Sequence, residues 1–137
     1  MTTDWTGMAR DLRVGLREMR SGAPEVMNAF AGIAQAALKT NALDTKTKEL
    51  IALAISVATR CDDCIAFHAK AAADQGADSD EVLETLGMAI YMGAGPSVMY
   101  AAHALEAYNA FAPGKTREDL ADDKDRRSRK GQGDPAP

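Results

Sequence analysis

The sequence predicts an all-α domain of about six helices, and three observations carry that expectation. Apolar residues recur at spacings of three and four as far as Phe111, the period of helices with one buried face. Aromatics make up only 5% of a chain that is 46% hydrophobic. Its core must therefore come from Ala, Leu, Ile, Val and Met, a mixture that suits closely packed helices better than a sheet. Gly, Pro, Asp and Ser fall where such helices would start and stop. With 137 residues, the chain is expected to form one domain, residues 1–112, able to bury a core without staples. A charged tail, 113–137, follows.

The first helix is expected over Asp4 to Arg20, where Trp5, Met8, Leu12, Leu16 and Met19 form one apolar stripe. Arg10, Arg13, Arg17 and Arg20 lie opposite, as a solvated face. Ser21-Gly22 breaks it. Pro24 suits a first helical position and Glu25 the positive helix start. The second helix then runs to about Lys39, with Val26, Phe30, Ile33, Ala34, Ala37 and Leu38 inward. Asp44 is the expected N-cap of a third helix reaching about Thr59. Its stretch Leu50 to Ala58 is apolar almost all round, so it should be central and buried on most sides.

The fourth helix runs from Asp62 to Gln75, thinned by alanines and closed by Gly76. Ser79 is the expected cap of a fifth helix reaching about Met92. Gly93-Ala94-Gly95 breaks it, and Pro96 opens a sixth helix to about Phe111. Val98, Met99, Ala101, Ala102, Leu105 and Tyr108 are its candidate buried positions. Beyond Pro113, Leu120 is the one large aliphatic residue, and a segment so poor in apolar surface is expected to be disordered.

Composition narrows the function. The net charge is −4 with both signs mixed along the domain, which gives nucleic-acid binding little support. No apolar run approaches the roughly 18 residues of a membrane span. The first residues have neither a basic start nor an apolar stretch, so the expected location is the cytoplasm. Two cysteines at CxxC spacing in a reducing compartment point to redox or metal chemistry rather than a structural bridge.

That pair is Cys61-Asp62-Asp63-Cys64, with His68 four residues on. At a helix start, residues i and i+3 share a face, so the sulfurs can meet across one turn. First-turn N–H groups and the helix dipole stabilise a thiolate. His68, on the same face, can take or return a thiol proton. Glu49 would lie about 18 Å from Cys61 along one straight helix. If the chain turns near Thr59-Arg60-Cys61, Glu49 sits about 15 Å down one helix and His68 about 10 Å down the next, at similar depth. The expected relay is Glu49, His68, Cys64, Cys61.

Glu49, eleven residues, Cys61-x-x-Cys64, three residues and His68 together resemble the alkylhydroperoxidase D-like proteins of the carboxymuconolactone decarboxylase superfamily. The likeness covers roughly residues 25–111 and is strongest from Glu49 to Ala72. It implies reduction of small peroxides or disulfides through the cysteine pair, with no metal or organic cofactor and an external dithiol as reductant. In that scheme Cys64 is oxidised first, to a sulfenic acid. Cys61 resolves it as an intramolecular disulfide, and His68 and Glu49 relay protons. The resemblance also implies homo-oligomers, trimers or hexamers, with sites near subunit contacts. One position departs: the best-studied branch has a histidine immediately before its second cysteine, where this chain has Asp63. Asp62 and Asp63 should oppose thiolate formation, although both also complement the helix dipole.

Other readings remain open. Cys61 and Cys64 could be packing residues. Cys61, Cys64 and His68 with Glu49 or His103 could ligate zinc. Glu49 could be a solvated first-turn carboxylate. His103 reads as an interior or interface histidine, and Tyr91, Tyr100 and Tyr108 as packing. The apolar faces around Ala89, Ile90, Met92, Val98, Met99 and Tyr100 exceed what one small domain covers and suggest subunit contacts. Alternative functions are a decarboxylase or isomerase acting on a lactone acid, or a non-enzymatic module that binds a partner protein.

Overall fold

The computed structural model describes residues 3–113. These form five helices and no strand: α1 Trp5–Gly22, α2 Pro24–Leu38, α3 Thr45–Ala58, α4 Asp62–Asp74 and α5 Ser79–Phe111. The starts follow local chemistry. A helix leaves its first N–H groups without intrahelical acceptors, and a short polar side chain can supply one. Asp4 accepts from Gly7 N–H at 2.9 Å, and Asp44 from Thr47 N–H at 2.7 Å. Pro24 opens α2 in the first turn, where its missing N–H costs nothing. The cap of α5 is Asp78 rather than the expected Ser79. Its carboxylate accepts from Glu81 N–H at 2.8 Å, and the Glu81 carboxylate accepts from Asp78 N–H at 3.0 Å. This reciprocal box satisfies two donors at once, and Ser79 becomes a buried first-turn residue.

The expected fifth and sixth helices are one span. The break at Gly93-Ala94-Gly95 reduces to a single residue, Ala94, at φ 53° and ψ −142°. Pro96 stands two residues on, so its ring falls in the turn after the kink, where a helix tolerates it. Gly93 is needed for space: a Cβ there would sit 1.8 Å from Ser97 Oγ.

Three helices, α3, α4 and α5, pack against one another and hold the core, with α1 laid on α4 and α5. Leu53 and Val57 of α3 meet Ile65, Ala66, Ala69 and Ala72 of α4, and Val82, Leu86, Ala104 and Ala107 of α5. The alanines of α4 present little bulk, which lets its neighbours approach closely. Trp5 of α1 is almost wholly enclosed. Buried Tyr108 donates its hydroxyl to Ala77 O at 2.6 Å, tying the end of α5 to the α4–α5 turn. Burial pushes that phenol up from its ordinary value. Lys46 and Glu81 bond at 2.7 Å between α3 and α5, and the ammonium holds the Glu81 carboxyl below its ordinary value.

Expectations about burial are corrected on four helices. Helix α2 buries no residue: Val26, Phe30 and Ile33 are 67%, 62% and 65% exposed. Its apolar stripe exists but faces away from the core. Helix α3 is buried on one side only. Leu50, Leu53, Ser56 and Val57 turn inward, whereas Ile51 and Ile55 are 44% and 56% exposed. On α5, Ala101 and Tyr108 are buried as expected, but Val98, Met99 and Ala102 are not. In α1 the stripe fades toward its end, and Met19 is exposed. Among the described residues no helix is long and apolar enough to cross a membrane. The charged tail lies, past Pro113, outside them.

Ala94 occupies a backbone region that glycine adopts freely and that costs other residues about 1–3 kcal/mol. Ala94→Gly gives back up to about 1 kcal/mol through the unfolded chain. The substitution is therefore expected to stabilise the fold by about 1 kcal/mol, read as a higher urea midpoint at unchanged slope. A lower midpoint contradicts the strain assigned to Ala94.

Candidate active site

The corner between α3 and α4 is built by backbone bonds. Arg60 N–H donates to Val57 O at 3.2 Å and Cys61 N–H to Ser56 O at 3.1 Å. Together these close α3 in a Schellman motif. The same pair closes α4, from Gly76 N–H to Ala73 O and Ala77 N–H to Ala72 O. Gly76 takes φ 81° there at no steric cost, whereas Arg60 takes φ 57° with a full side chain. Cys61, last residue of the first motif, is also the N-cap of α4. Its carbonyl accepts from Ile65 N–H at 2.9 Å, and its Sγ from Cys64 N–H at 3.2 Å. One residue thus ends one helix and starts the next.

That corner produces the juxtaposition the sequence suggested. Helix α4 runs back along α3, and His68 Nδ1 lies 2.7 Å from Glu49 Oε2. The contact is direct, with no need of a bridging water. Glu49 is 4% exposed, so it is not the solvated first-turn carboxylate of the alternative reading. An ionised carboxylate only accepts hydrogen bonds, so with Glu49 ionised the Nδ1 proton points at it. Nε2 is then the nitrogen left to accept. Phe67 sets its ring edge-on to His68 at 5.1 Å between centroids.

Cys61 and Cys64 are joined as a disulfide, with Cα atoms 5.2 Å apart. Both are half-buried. His68 follows Cys64 by four residues, one turn along the same face of α4. The structure thus pairs Glu49 with His68 and Cys61 with Cys64, and α4 carries one member of each pair. In this form the sulfurs are bonded to each other. Among the described residues no three His, Cys, Asp or Glu side chains converge as a metal-binding set.

Two features had no sequence signal. The first is an apolar groove of about 340 Å³ onto which His68 opens. Ala34, Ala37 and Leu38 of α2 form one wall, and Ile51, Ile55 and Lys48 of α3 the other. The second is a contact across α4 and α5: His103 Nδ1 lies 3.5 Å from Asp62 Oδ1. This is too long for a hydrogen bond and leaves that nitrogen without a partner, but it is an ion-pair distance when the ring is protonated. Trp5 and Tyr100 hold the His103 ring, at 6.1 and 5.2 Å between centroids. Asp62 and Asp63 are both exposed. Tyr108 packs as expected, whereas Tyr91 is 79% exposed.

A helical corner of this kind, with the paired cysteines at its apex, places the protein among helical proteins carrying a CxxC pair. Residues 24–107 match the carboxymuconolactone decarboxylase family, and the chain belongs to that family. The chain is 50% identical to a carboxymuconolactone decarboxylase family protein of Legionella pneumophila, known in its apo form. The two share a TM-score of 0.78 over 79% of this chain and 96% of that one. A family protein of Thermotoga maritima, with a suggested involvement in an antioxidative response, aligns at TM-score 0.66 and 27% identity. That alignment covers 86% of this chain and 93% of the other. An uncharacterised protein of Haemophilus influenzae is 40% identical over 109 residues, 80% of this chain and 96% of its own length.

A buried carboxylate without its partner is costly. Removing His68 as His68→Ala should destabilise the fold by about 1–3 kcal/mol, read by urea unfolding near neutral pH. Adding Glu49→Leu to that variant should recover part of the loss, because no charge then remains to be desolvated. Equal stability of wild type and His68→Ala contradicts this role of the contact.

Proposed function

We propose that this protein is a thiol-dependent oxidoreductase that reduces peroxides or disulfides through Cys61 and Cys64. The carrying observation is the bonded pair at the head of α4, one turn before a histidine whose Nδ1 is held by a buried glutamate. On a peroxide, the Cys64 thiolate attacks one oxygen and breaks the O–O bond. The departing alkoxide takes a proton and Cys64 becomes a sulfenic acid. The Cys61 thiolate then attacks the Cys64 sulfur, hydroxide leaves as water, and the disulfide forms. A dithiol returns two electrons and two protons. Glu49 fixes the His68 ring and its tautomer, and His68 exchanges the protons through Nε2.

The apolar walls of the groove at His68 favour a peroxide or disulfide carrying an organic group. The likeness to alkylhydroperoxidase D-like proteins, and the antioxidative involvement suggested for the Thermotoga relative, support the same direction. The working unit in this proposal is a cytoplasmic homo-oligomer. The exposed apolar side chains of α2, α3 and α5 are surfaces that association would remove from water. The second reading, decarboxylation or isomerisation of a lactone acid, rests on the family alone and gives the cysteines no task.

Turnover of an organic hydroperoxide with a small dithiol tests the proposal. Cys64→Ser and Cys61→Ser should each abolish it. His68→Ala should lower it by about 10²–10⁴-fold, the usual scale of a positioned acid–base group. Decarboxylation of a lactone acid that survives Cys64→Ser, with no peroxide or disulfide turnover in the wild type, would favour the second reading.

A further inference from the structure

We infer that the disulfide opens in one direction: the reducing thiolate bonds to Cys64, and Cys61 departs as the thiolate. This rests on the redox reading above and adds which sulfur carries the reductant. The two sulfurs sit differently on α4. Cys61 occupies the N-cap, and its Sγ already accepts the Cys64 N–H at 3.2 Å. Cys64, three residues on, is the donor of that bond and not its acceptor. When a sulfur takes up negative charge, the one over the helix start gains twice. Its existing hydrogen bond becomes charge-assisted, and the positive end of the helix dipole lies beneath it.

The gain needs no backbone movement. The Cys61 N–H is held by Ser56 O, and its carbonyl by Ile65 N–H. Its sulfur therefore stays over the first turn after the bond breaks. Thiols at helix starts have lowered pKa, and in thiol–disulfide exchange the sulfur of lower pKa leaves faster. The carboxylates do not reverse this. Asp62 follows Cys61 and Asp63 precedes Cys64, so each sulfur has one as a sequence neighbour. Both are exposed to screening solvent. His68 lies one turn beyond Cys64 on α4 and lines the groove, on the Cys64 side of the pair.

The step balances as follows. The reductant thiolate forms a bond to Cys64 Sγ, the Cys61–Cys64 bond breaks, and its electron pair goes to Cys61 Sγ. The second thiol of the dithiol, deprotonated in turn, attacks the reductant's own sulfur. It leaves as a cyclic disulfide and releases the Cys64 thiolate. Two electrons and two protons pass from dithiol to protein. The rival is protonation of a departing Cys64 sulfur by His68, which puts the reductant on Cys61.

The test is a brief exposure of the oxidised wild-type protein to the monothiol glutathione, quenched with excess N-ethylmaleimide. The tryptic peptide from Cys61 to Lys70 is then sequenced by tandem mass spectrometry. Glutathione on Cys64 with maleimide on Cys61 should exceed the reverse by on the order of tenfold. A second measurement stands if the adduct closes before the quench. Alkylation rate against pH is followed for Cys61 in Cys64→Ser and for Cys64 in Cys61→Ser, and the Cys61 inflection should fall about one pH unit lower. An equal or reversed order in either measurement overturns the inference and leaves the redox reading in place. A disulfide that neither glutathione nor dithiothreitol opens overturns both.

Discussion

The hydrogen bond between Glu49 and His68 is the constraint on which the site depends. A carboxylate as enclosed as Glu49 must have a partner, because an unpaired buried charge is too costly to keep. Its partner comes from the next helix, nineteen residues on. That pairing fixes how far α4 slides along α3, and with it the height at which the cysteines sit. The corner is tight because Cys61 serves two helices at once. The alanine-rich face of α4 lets α3 come close enough for a direct bond.

The corner also accounts for a strained residue. Arg60 adopts the left-handed conformation that Gly76 adopts at the other end of α4, with the same pair of closing bonds. Glycine would be the easier choice, since an L side chain there costs about 1 kcal/mol or more. The strain lies directly before the cysteine pair, where the chain must turn within three residues.

Most of this arrangement was legible in the sequence. Helical periodicity gave the elements, and the spacing placed Glu49 level with His68, because distances along two antiparallel helices follow from a fixed rise per residue. Burial was less legible. The stripe of Val26, Phe30 and Ile33 is a sound amphipathic pattern, but periodicity shows that a face is apolar without showing what covers it. Here those three side chains stay exposed. Two contacts carried no local signal. Asp62 and His103 meet through packing of elements far apart in sequence. The capping box at Asp78 displaced Ser79 because a carboxylate with Glu81 three residues later satisfies two donors, where a serine without that partner satisfies one. The two expected helices around Ala94 form one span because a single residue absorbs the change of direction.

The apolar surface and the site are joined. Ile51 and Ile55 line the groove at His68, and they also line a second groove of about 410 Å³ beside Met88 and Met92 of α5. Whatever covers this surface also bears on access to His68. The central claim is that the two sulfurs act as one two-electron couple. A count of free thiols in the fully reduced protein, before and after one equivalent of an organic hydroperoxide, addresses it most directly. The account predicts that both thiols disappear together for each peroxide consumed, as a Cys61–Cys64 disulfide within one chain. Loss of a single thiol, or of none, would contradict it.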